Sequence, residues 1–289
     1  MRNKAEEIRS RLRAGRPLVM PGVYDALSAR IAARAGFEVI FISGYGVSAT
    51  YLAEPDFGVL TQTEIVGAAQ RVCRAVDCPV LVDVDTGYGN AVNVIRTIEE
   101  VRRAGAAGVF LEDQVWPKRC GHMRGKRVIP VGEQVQKLRA AVRARGDGDC
   151  LIVARTDARQ AVGLDDAIAR ALAYHAAGAD ALFVEAPQSV DELREIGRRL
   201  PPPLVANMVE EGATPQLSVD ELAAMGFQMI VYPLTGLFAA ARAMEEAYGI
   251  LRRDGRSQGV RDKLLGFDAF NRLIGLDEKY ALDAEFRDD

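Results

Sequence analysis

Histidine is scarce in this chain, with His122 and His175 the only two in 289 residues. A zinc site built on several histidines would have to be completed by carboxylates or cysteines, which weighs against zinc hydrolysis. A Ser-His-Asp triad is also hard to assemble, because no G-x-S-x-G elbow exists and His175 falls inside the helical segment ARALAYHAAG. The four cysteines, Cys73, Cys78, Cys120 and Cys150, have neither CxxC spacing nor the density of a disulfide scaffold, so free thiols are expected. No apolar run approaches the roughly 20 residues that span a bilayer, and the first residues, MRNKAEEIRSRLRAGR, carry no signal-peptide hydrophobic region. A cytoplasmic protein is expected. Charge of one sign is not in excess either. The 37 basic and 40 acidic residues give a net charge of -3 and are interspersed, which argues against nucleic acid or membrane as a partner. No Ser/Gly-rich linker divides the chain, so residues 1–289 read as one domain with a helical extension from about Ala239.

What the chain does have is a recurring junction, in which an amphipathic helix ends in glycine and an apolar strand follows. DALSARIAARAG leads into FEVIFISG, IRTIEEVRRAGA into AGVFLED, DAIARALAYHAAGA into DALFVEA, and VDELAAMG into FQMIVYPL. Gly36, Gly105, Gly178 and Gly226 fall where a helix needs a left-handed C-terminal residue. The strands are short and almost wholly apolar, as expected for a parallel sheet covered on both faces. Eight are predicted, at 18–21, 39–43, 80–83, 108–112, 151–155, 181–185, 204–206 and 229–232. Eight strands with intervening helices predict an α/β fold of the (β/α)8 TIM-barrel type.

Polar residues gather at the C-terminal ends of these strands: Asp83 and Asp85, Glu112 and Asp113, Arg155 and Asp157, Glu185, and Asn207. In a barrel those ends open onto one face, where such enzymes keep their chemistry. Asp83 and Asp85 are two apart and point to one side while the strand stays extended. Two such carboxylates repel unless a proton or cation lies between them. With Glu112 they offer hard oxygen ligands suited to Mg²⁺ or Mn²⁺. Taken singly, each acid could equally cap a helix or pair with Arg155.

A second signal is the run from Trp116 to Val128, which places Lys118, Arg119, His122, Arg124, Lys126 and Arg127 around Cys120. Positive neighbours favour a thiolate, so Cys120 is expected to be reactive near neutral pH, as proton donor or nucleophile. Gly121 and Gly125 would let the loop close over an anionic substrate. SGYGVSA, at 43–49, has the spacing of a dinucleotide fingerprint, but TYLAEPDFGVLT follows where a second strand should. A glycine-rich backbone nest for a substrate carboxylate is the preferred reading.

LVDVDTGYGN, FLEDQVWPKRCGH, VARTDA, FVEAP, LVANMVEEGATP and YPLTG together resemble the isocitrate lyase/phosphoenolpyruvate mutase superfamily. KRCGH preceded by ED resembles its short-form carbon–carbon lyase branch, that of 2-methylisocitrate and 2,3-dimethylmalate lyases. The resemblance implies Mg²⁺ held mainly by Asp85, with Asp56, Asp83 and Glu112 acting largely through waters. It places a 2-oxo-carboxylate against Ser43, Gly44 and Tyr45, with Arg155 as a further anchor. Cys120 becomes the acid that protonates a carbanionic product, and Lys118, Gly121 and His122 belong to its closing loop. Glu185 and Asn207 match positions that line the pocket, while PGVYDA and YPLTGLF depart from the methylisocitrate lyase pattern, and Thr235 and Leu237 are expected to help choose the substrate. A homotetramer exchanging its last barrel helix is also implied.

These parts suit retro-aldol cleavage of a substituted 2-hydroxy di- or tricarboxylate to pyruvate and a second carboxylate. The same metal site could serve P–C bond mutase chemistry or oxaloacetate hydrolysis. From a different class, a non-catalytic metabolite-binding barrel or a dinucleotide-binding protein remains as an alternative.

Overall fold

Gly36, Gly105, Gly178 and Gly226 all adopt positive φ, between 91° and 100°, each ending a helix that delivers the chain to a strand. The computed structural model describes residues 3–147 and 149–287. Its strands are β1 (Leu18–Val23), β2 (Ile40–Ile42), β3 (Val80–Asp83), β4 (Gly108–Glu112), β5 (Leu151–Thr156), β6 (Ala181–Val184), β7 (Leu204–Asn207) and β8 (Phe227–Tyr232). All pair in parallel with their sequence neighbours, and β1 pairs with β8, closing the barrel predicted from the sequence. The helices are α1 (Lys4–Arg13), α2 (Ala26–Arg34), α3 (Gly44–Leu52), α4 (Gln62–Ala75), α5 (Ala91–Arg103), α6 (Val131–Ala144) and α7 (Ala158–Ala161). They continue with α8 (Leu164–Ala176), α9 (Val190–Arg199), α10 (Val219–Ala224), α11 (Thr235–Asp254), α12 (Phe267–Leu273) and α13 (Leu276–Glu285).

The period of two along each strand divides the apolar residues into two cores. Leu81, Phe110, Val153, Phe183, Val205 and Val231 point inward and pack with Ala5, Ile8 and Leu12 of α1. Alternate residues such as Val82, Leu111, Ile152 and Leu182 point outward and pack with the covering helices. Two positions beyond the inward apolar layer stand Ser43, Asp83, Glu112, Arg155, Glu185 and Asn207. One alternation therefore builds the floor of the barrel mouth and aims its polar groups.

The chain divides into two compact units, Met1–Gly236 and Leu237–Asp289. The second is helical, and Met244, Tyr248, Leu251, Phe267, Tyr280 and Phe286 are exposed in it.

Candidate active site

Phe41, Phe110 and Phe183 form an aromatic floor, with ring centroids 4.8 Å apart for the first pair and 5.9 Å for the second. Above it lies a cavity of about 40 Å³ lined on one side by Ser43, Tyr45, Asp56, Asp83 and Cys120. His122, Arg155, Glu185 and Asn207 line another side, and Val209, Val231, Pro233 and Leu234 supply an apolar wall.

The acidic side departs from the extended geometry expected of the sequence. β3 ends at Asp83, and Asp85 adopts a left-handed φ of 49°. A turn brings the two acids together: the Asp85 N–H donates to Asp83 Oδ1 at 3.1 Å. A Cβ added at Gly44 would lie 3.0 Å from Asp83 Oδ2 and 3.4 Å from Asp85 Oδ1, so glycine lets both approach the start of α3. Burial pushes Asp85 up to about 7 despite the pull of Lys118, and raises Asp83 for the same reason. Glu112 rises well above the usual range through burial, with both carboxylate oxygens lacking a hydrogen-bond donor. The Lys118 ammonium lies 2.6 Å from both Asp56 Oδ1 and Asp85 Oδ1. Burial alone would lower its pKa, but Asp85 and Asp56 hold it well above the usual lysine range.

Across the cavity, Arg155 is held by Asp157 at 2.9 and 3.1 Å, and lies 3.2 Å from Glu112 and 3.4 Å from Glu185. His122 Nδ1 accepts from the Ala213 N–H at 2.9 Å, which leaves Nε2–H to face Glu185 Oε1 at 3.0 Å. Asn207 Nδ2 donates to Glu185 at 3.3 Å, while Asn207 Oδ1 has no partner. Burial alone would raise Glu185, but Arg155 and His122 hold it well below the carboxylate range.

These contacts connect six carboxylates (Asp56, Asp83, Asp85, Glu112, Asp157 and Glu185) with three permanent cations (Lys118, Lys126 and Arg155). Buried acidic groups in such excess over cations, with no hydrogen bond to either oxygen of Glu112 and only the Arg155 ion pair beside it among the described residues, fit a divalent cation. Among the described residues, no group of three or more acidic, histidine or cysteine side chains is arranged to enclose a metal unaided. A donor set completed by water and substrate oxygens fits that spacing.

Two further expectations, on Cys120 and on SGYGVSA, are corrected. The cationic loop does not favour the Cys120 thiolate: burial and the nearby Asp56 push the thiol up to about 11. The loop's cations are engaged elsewhere, Lys118 with Asp56 and Asp85, Lys126 with Asp157, and Arg119 against the Phe57 ring. SGYGVSA is not a nest in a loop but the first turns of α3, N-capped by Ser43, whose hydroxyl accepts from the Gly46 N–H at 3.2 Å. The first-turn amides of Gly44 and Tyr45 still suit a carboxylate, because helix N-termini carry unpaired N–H groups.

Gly121 belongs to the cavity, as expected, but Thr235 is exposed and hydrogen-bonds Glu210 instead of lining it. Missed by the sequence reading were the three floor phenylalanines and the wall of Val209, Val231, Pro233 and Leu234. The floor was recoverable, since Phe41, Phe110 and Phe183 each precede a polar strand end by two residues.

The profile of the phosphoenolpyruvate phosphomutase family matches residues 8–251. The chain is 50% identical over 273 residues to "Carboxyvinyl-carboxyphosphonate phosphorylmutase, chloroplastic" of Arabidopsis thaliana, covering 93% of this chain and 80% of that one. It is 44% identical to "2,3-dimethylmalate lyase" of Eubacterium barkeri, covering 96% of each. A crystal structure of a 2,3-dimethylmalate lyase superposes with a TM-score of 0.94 at 39% identity, over 99% of this chain and 96% of that one.

Proposed function

Because the chain belongs to the phosphoenolpyruvate phosphomutase family, we propose that it is a Mg²⁺-dependent carbon–carbon lyase. Its substrate is a substituted 2-hydroxy di- or tricarboxylate, which it cleaves to pyruvate and a second carboxylate. The observation that carries this reading is the Cys120 thiol lining the same small cavity as the buried acids Asp56, Asp83 and Glu185. Breaking a C–C bond next to a carboxylate needs both a sink for the hydroxyl proton and a source for the new C–H bond.

The amides of Gly44 and Tyr45 and the Arg155 guanidinium suit the carboxylate beside C2. The C2 hydroxyl then faces Asp83 and Asp56, and its proton leaves towards Asp83, which burial has made a stronger base than free aspartate. Asp85 would hold the metal, with Asp56, Asp83 and Glu112 reaching it through water. When bound, the cation stabilises charge developing on the C2 oxygen. As the C2–C3 bond breaks, its electron pair passes to the carbon beside the second carboxylate. The Cys120 S–H gives its proton to that carbon, and as product leaves the thiolate regains, through water, the proton that Asp83 took from the hydroxyl. His122, fixed as an Nε2–H donor by Ala213, and Asn207 orient the second carboxylate region.

The apolar wall favours an alkyl-substituted malate of the 2,3-dimethylmalate kind over a tricarboxylate such as 2-methylisocitrate. The Arabidopsis relative's name points to P–C chemistry, but phosphoryl migration gives Cys120 no proton to deliver. A homotetramer is the assembly we infer, supported by α11, which has no buried residue and exposes Phe238, Met244, Tyr248 and Leu251. Among the described residues, no helix is long and apolar enough to cross a membrane.

The test is a panel of substituted malates, 2-methylisocitrate and oxaloacetate with Mg²⁺, coupling pyruvate release to lactate dehydrogenase. Pyruvate with a second carboxylate identified by mass spectrometry supports the reading. Phosphonate rearrangement without C–C cleavage, or full activity in excess EDTA, overturns it.

A further inference from the structure

Lys126 is a buried cation with no part in the chemistry described above. Its ammonium donates to Asp157 Oδ1 at 2.8 Å and to the Gly121 carbonyl, and its side chain is shielded from solvent. Gly121 immediately follows Cys120, and Asp157 is the carboxylate that also holds Arg155. We propose that Lys126 is a positioning residue for Cys120, and that Asp157 is the fixed point from which the acid's loop and the substrate's arginine are both registered.

Three observations carry this assignment. First, Asp157 is itself immobile, because its N–H donates to Asp113 Oδ1 at 2.9 Å. Asp113 Oδ2 in turn accepts from Thr156 Oγ1 and Tyr174 OH, both at 2.7 Å. Asp113, Thr156 and Tyr174 lie outside the lining of the cavity, and Asp157 is where their side-chain network meets Arg155 and Lys126. Second, the base of the loop is already secured by a bridge between Gln114 and Val128 and by the Ile129 N–H donating to the Asp113 carbonyl. Lys126 instead reaches inward from that base to the residue after the acid. Third, a buried ion pair is a poor source of net stability compared with apolar packing of similar size. Its use here is register: a charge-assisted bond to a fixed carboxylate sets distance and direction for the peptide carrying Cys120.

The assignment rests on the lyase reading only for its catalytic consequence, so its test does not require turnover. Wild type, Lys126→Met and Asp157→Asn are treated with iodoacetamide, and labelling of each cysteine is followed by mass spectrometry. Lys126→Met leaves Asp157 paired with Arg155, so no carboxylate is stranded. Cys150, fully buried in the barrel wall, reports any general loosening. In Lys126→Met, Cys120 labelling is expected to rise about tenfold or more, because the half-buried thiol, once its loop is no longer tied to Asp157, swings clear of the cavity wall and meets reagent more often. Cys150 labelling stays at the wild-type rate. Asp157→Asn gives the same pattern if it folds. On the best substrate of the panel, Lys126→Met lowers kcat more than it raises KM. Unchanged Cys120 labelling, or a parallel rise at Cys120 and Cys150, overturns the assignment whatever the substrate panel yields. Failure of the lyase reading appears separately, as wild-type protein that releases no pyruvate.

Discussion

The Lys118 ammonium lies 2.6 Å from Asp85 Oδ1, so a cation from the Cys120 loop stands against the carboxylate proposed as the leading metal ligand. The same nitrogen contacts Asp56, whose carbonyl accepts from the Cys120 N–H at 3.0 Å. Charge balance at the acidic cluster and the position of the Cys120 thiol are therefore features of one loop. A loop that carries both can deliver its thiol only when it also delivers its ammonium, which links closure to the electrostatics of the site.

As the proposed metal ligand, Asp85 should link metal affinity to pH. Burial raises it to about 7 in the folded protein, so its contribution to stability is complete below the unfolded value and is lost as pH rises through about 7. Mg²⁺ must displace that proton, and its apparent affinity should increase about tenfold per pH unit between roughly pH 5 and 7, then level off. Mg²⁺ should correspondingly raise Tm far more at pH 8 than at pH 5. Calorimetric titration across this range checks the slope; affinity independent of pH would remove Asp85 as the coupled ligand.

Cys120→Ser replaces an acid already shifted to about 11 by a hydroxyl that is weaker still. Turnover should fall by about 10²–10⁴, the usual worth of a general acid. Mg²⁺ and oxalate affinity should stay within about threefold, since neither contact passes through the thiol. In the wild type, kcat should hold on the alkaline side until pH approaches the thiol's value, because the acid is lost only when deprotonated. Steady-state kinetics paired with calorimetry separate the two effects.

Most of the architecture was legible because it rests on local rules. Gly36, Gly105, Gly178 and Gly226 marked helix ends, and β3 and β4 occupy the residues predicted for them. The polar residues at strand ends were legible for the same reason, since alternation places Glu112 above Phe110 and Glu185 above Phe183. What sequence could not convey was where the loop's cations go. Six basic residues around Cys120 looked like an electropositive setting, yet Lys118 and Lys126 reach across the chain to acids 33 and 31 positions away or more. Those pairings, with burial, reverse the expected shift of the thiol. Asp85 was legible as an acid but not as a left-handed residue, because its turn is set by tertiary contacts.

Gly121 offers a steric test of loop closure. A Cβ there would lie 2.5 Å from Arg155 Nη2 and from Glu185 Cδ, closer than real contacts allow. Both partners are held by other ion pairs, so neither yields easily. Gly121→Ala should therefore keep the loop from seating, lowering kcat/KM by about a hundredfold through a displacement of the order of 1 Å. Thermal stability should change by less than about 1 kcal/mol, because the loop lies outside both hydrophobic cores. A variant with wild-type kinetics would show that the active state does not use this closed geometry.

The wall of Val209, Val231, Pro233 and Leu234 makes a prediction about substrate choice. Among the residues lining the cavity, Arg155 is the cation and His122 an N–H donor, and both already face carboxylates. A third substrate carboxylate against the apolar wall would be desolvated without a partner, at a cost of several kcal/mol. A methyl group there is instead favoured by about 0.8 kcal/mol through burial. The kcat/KM for 2,3-dimethylmalate should thus exceed that for 2-methylisocitrate by about a hundredfold or more, with the difference largely in KM. Leu234→Lys should narrow the gap by supplying the missing cation, at the expense of the alkyl substrate. Equal use of both acids by the wild type would mean that the tricarboxylate's extra group points away from this wall, towards the barrel rim.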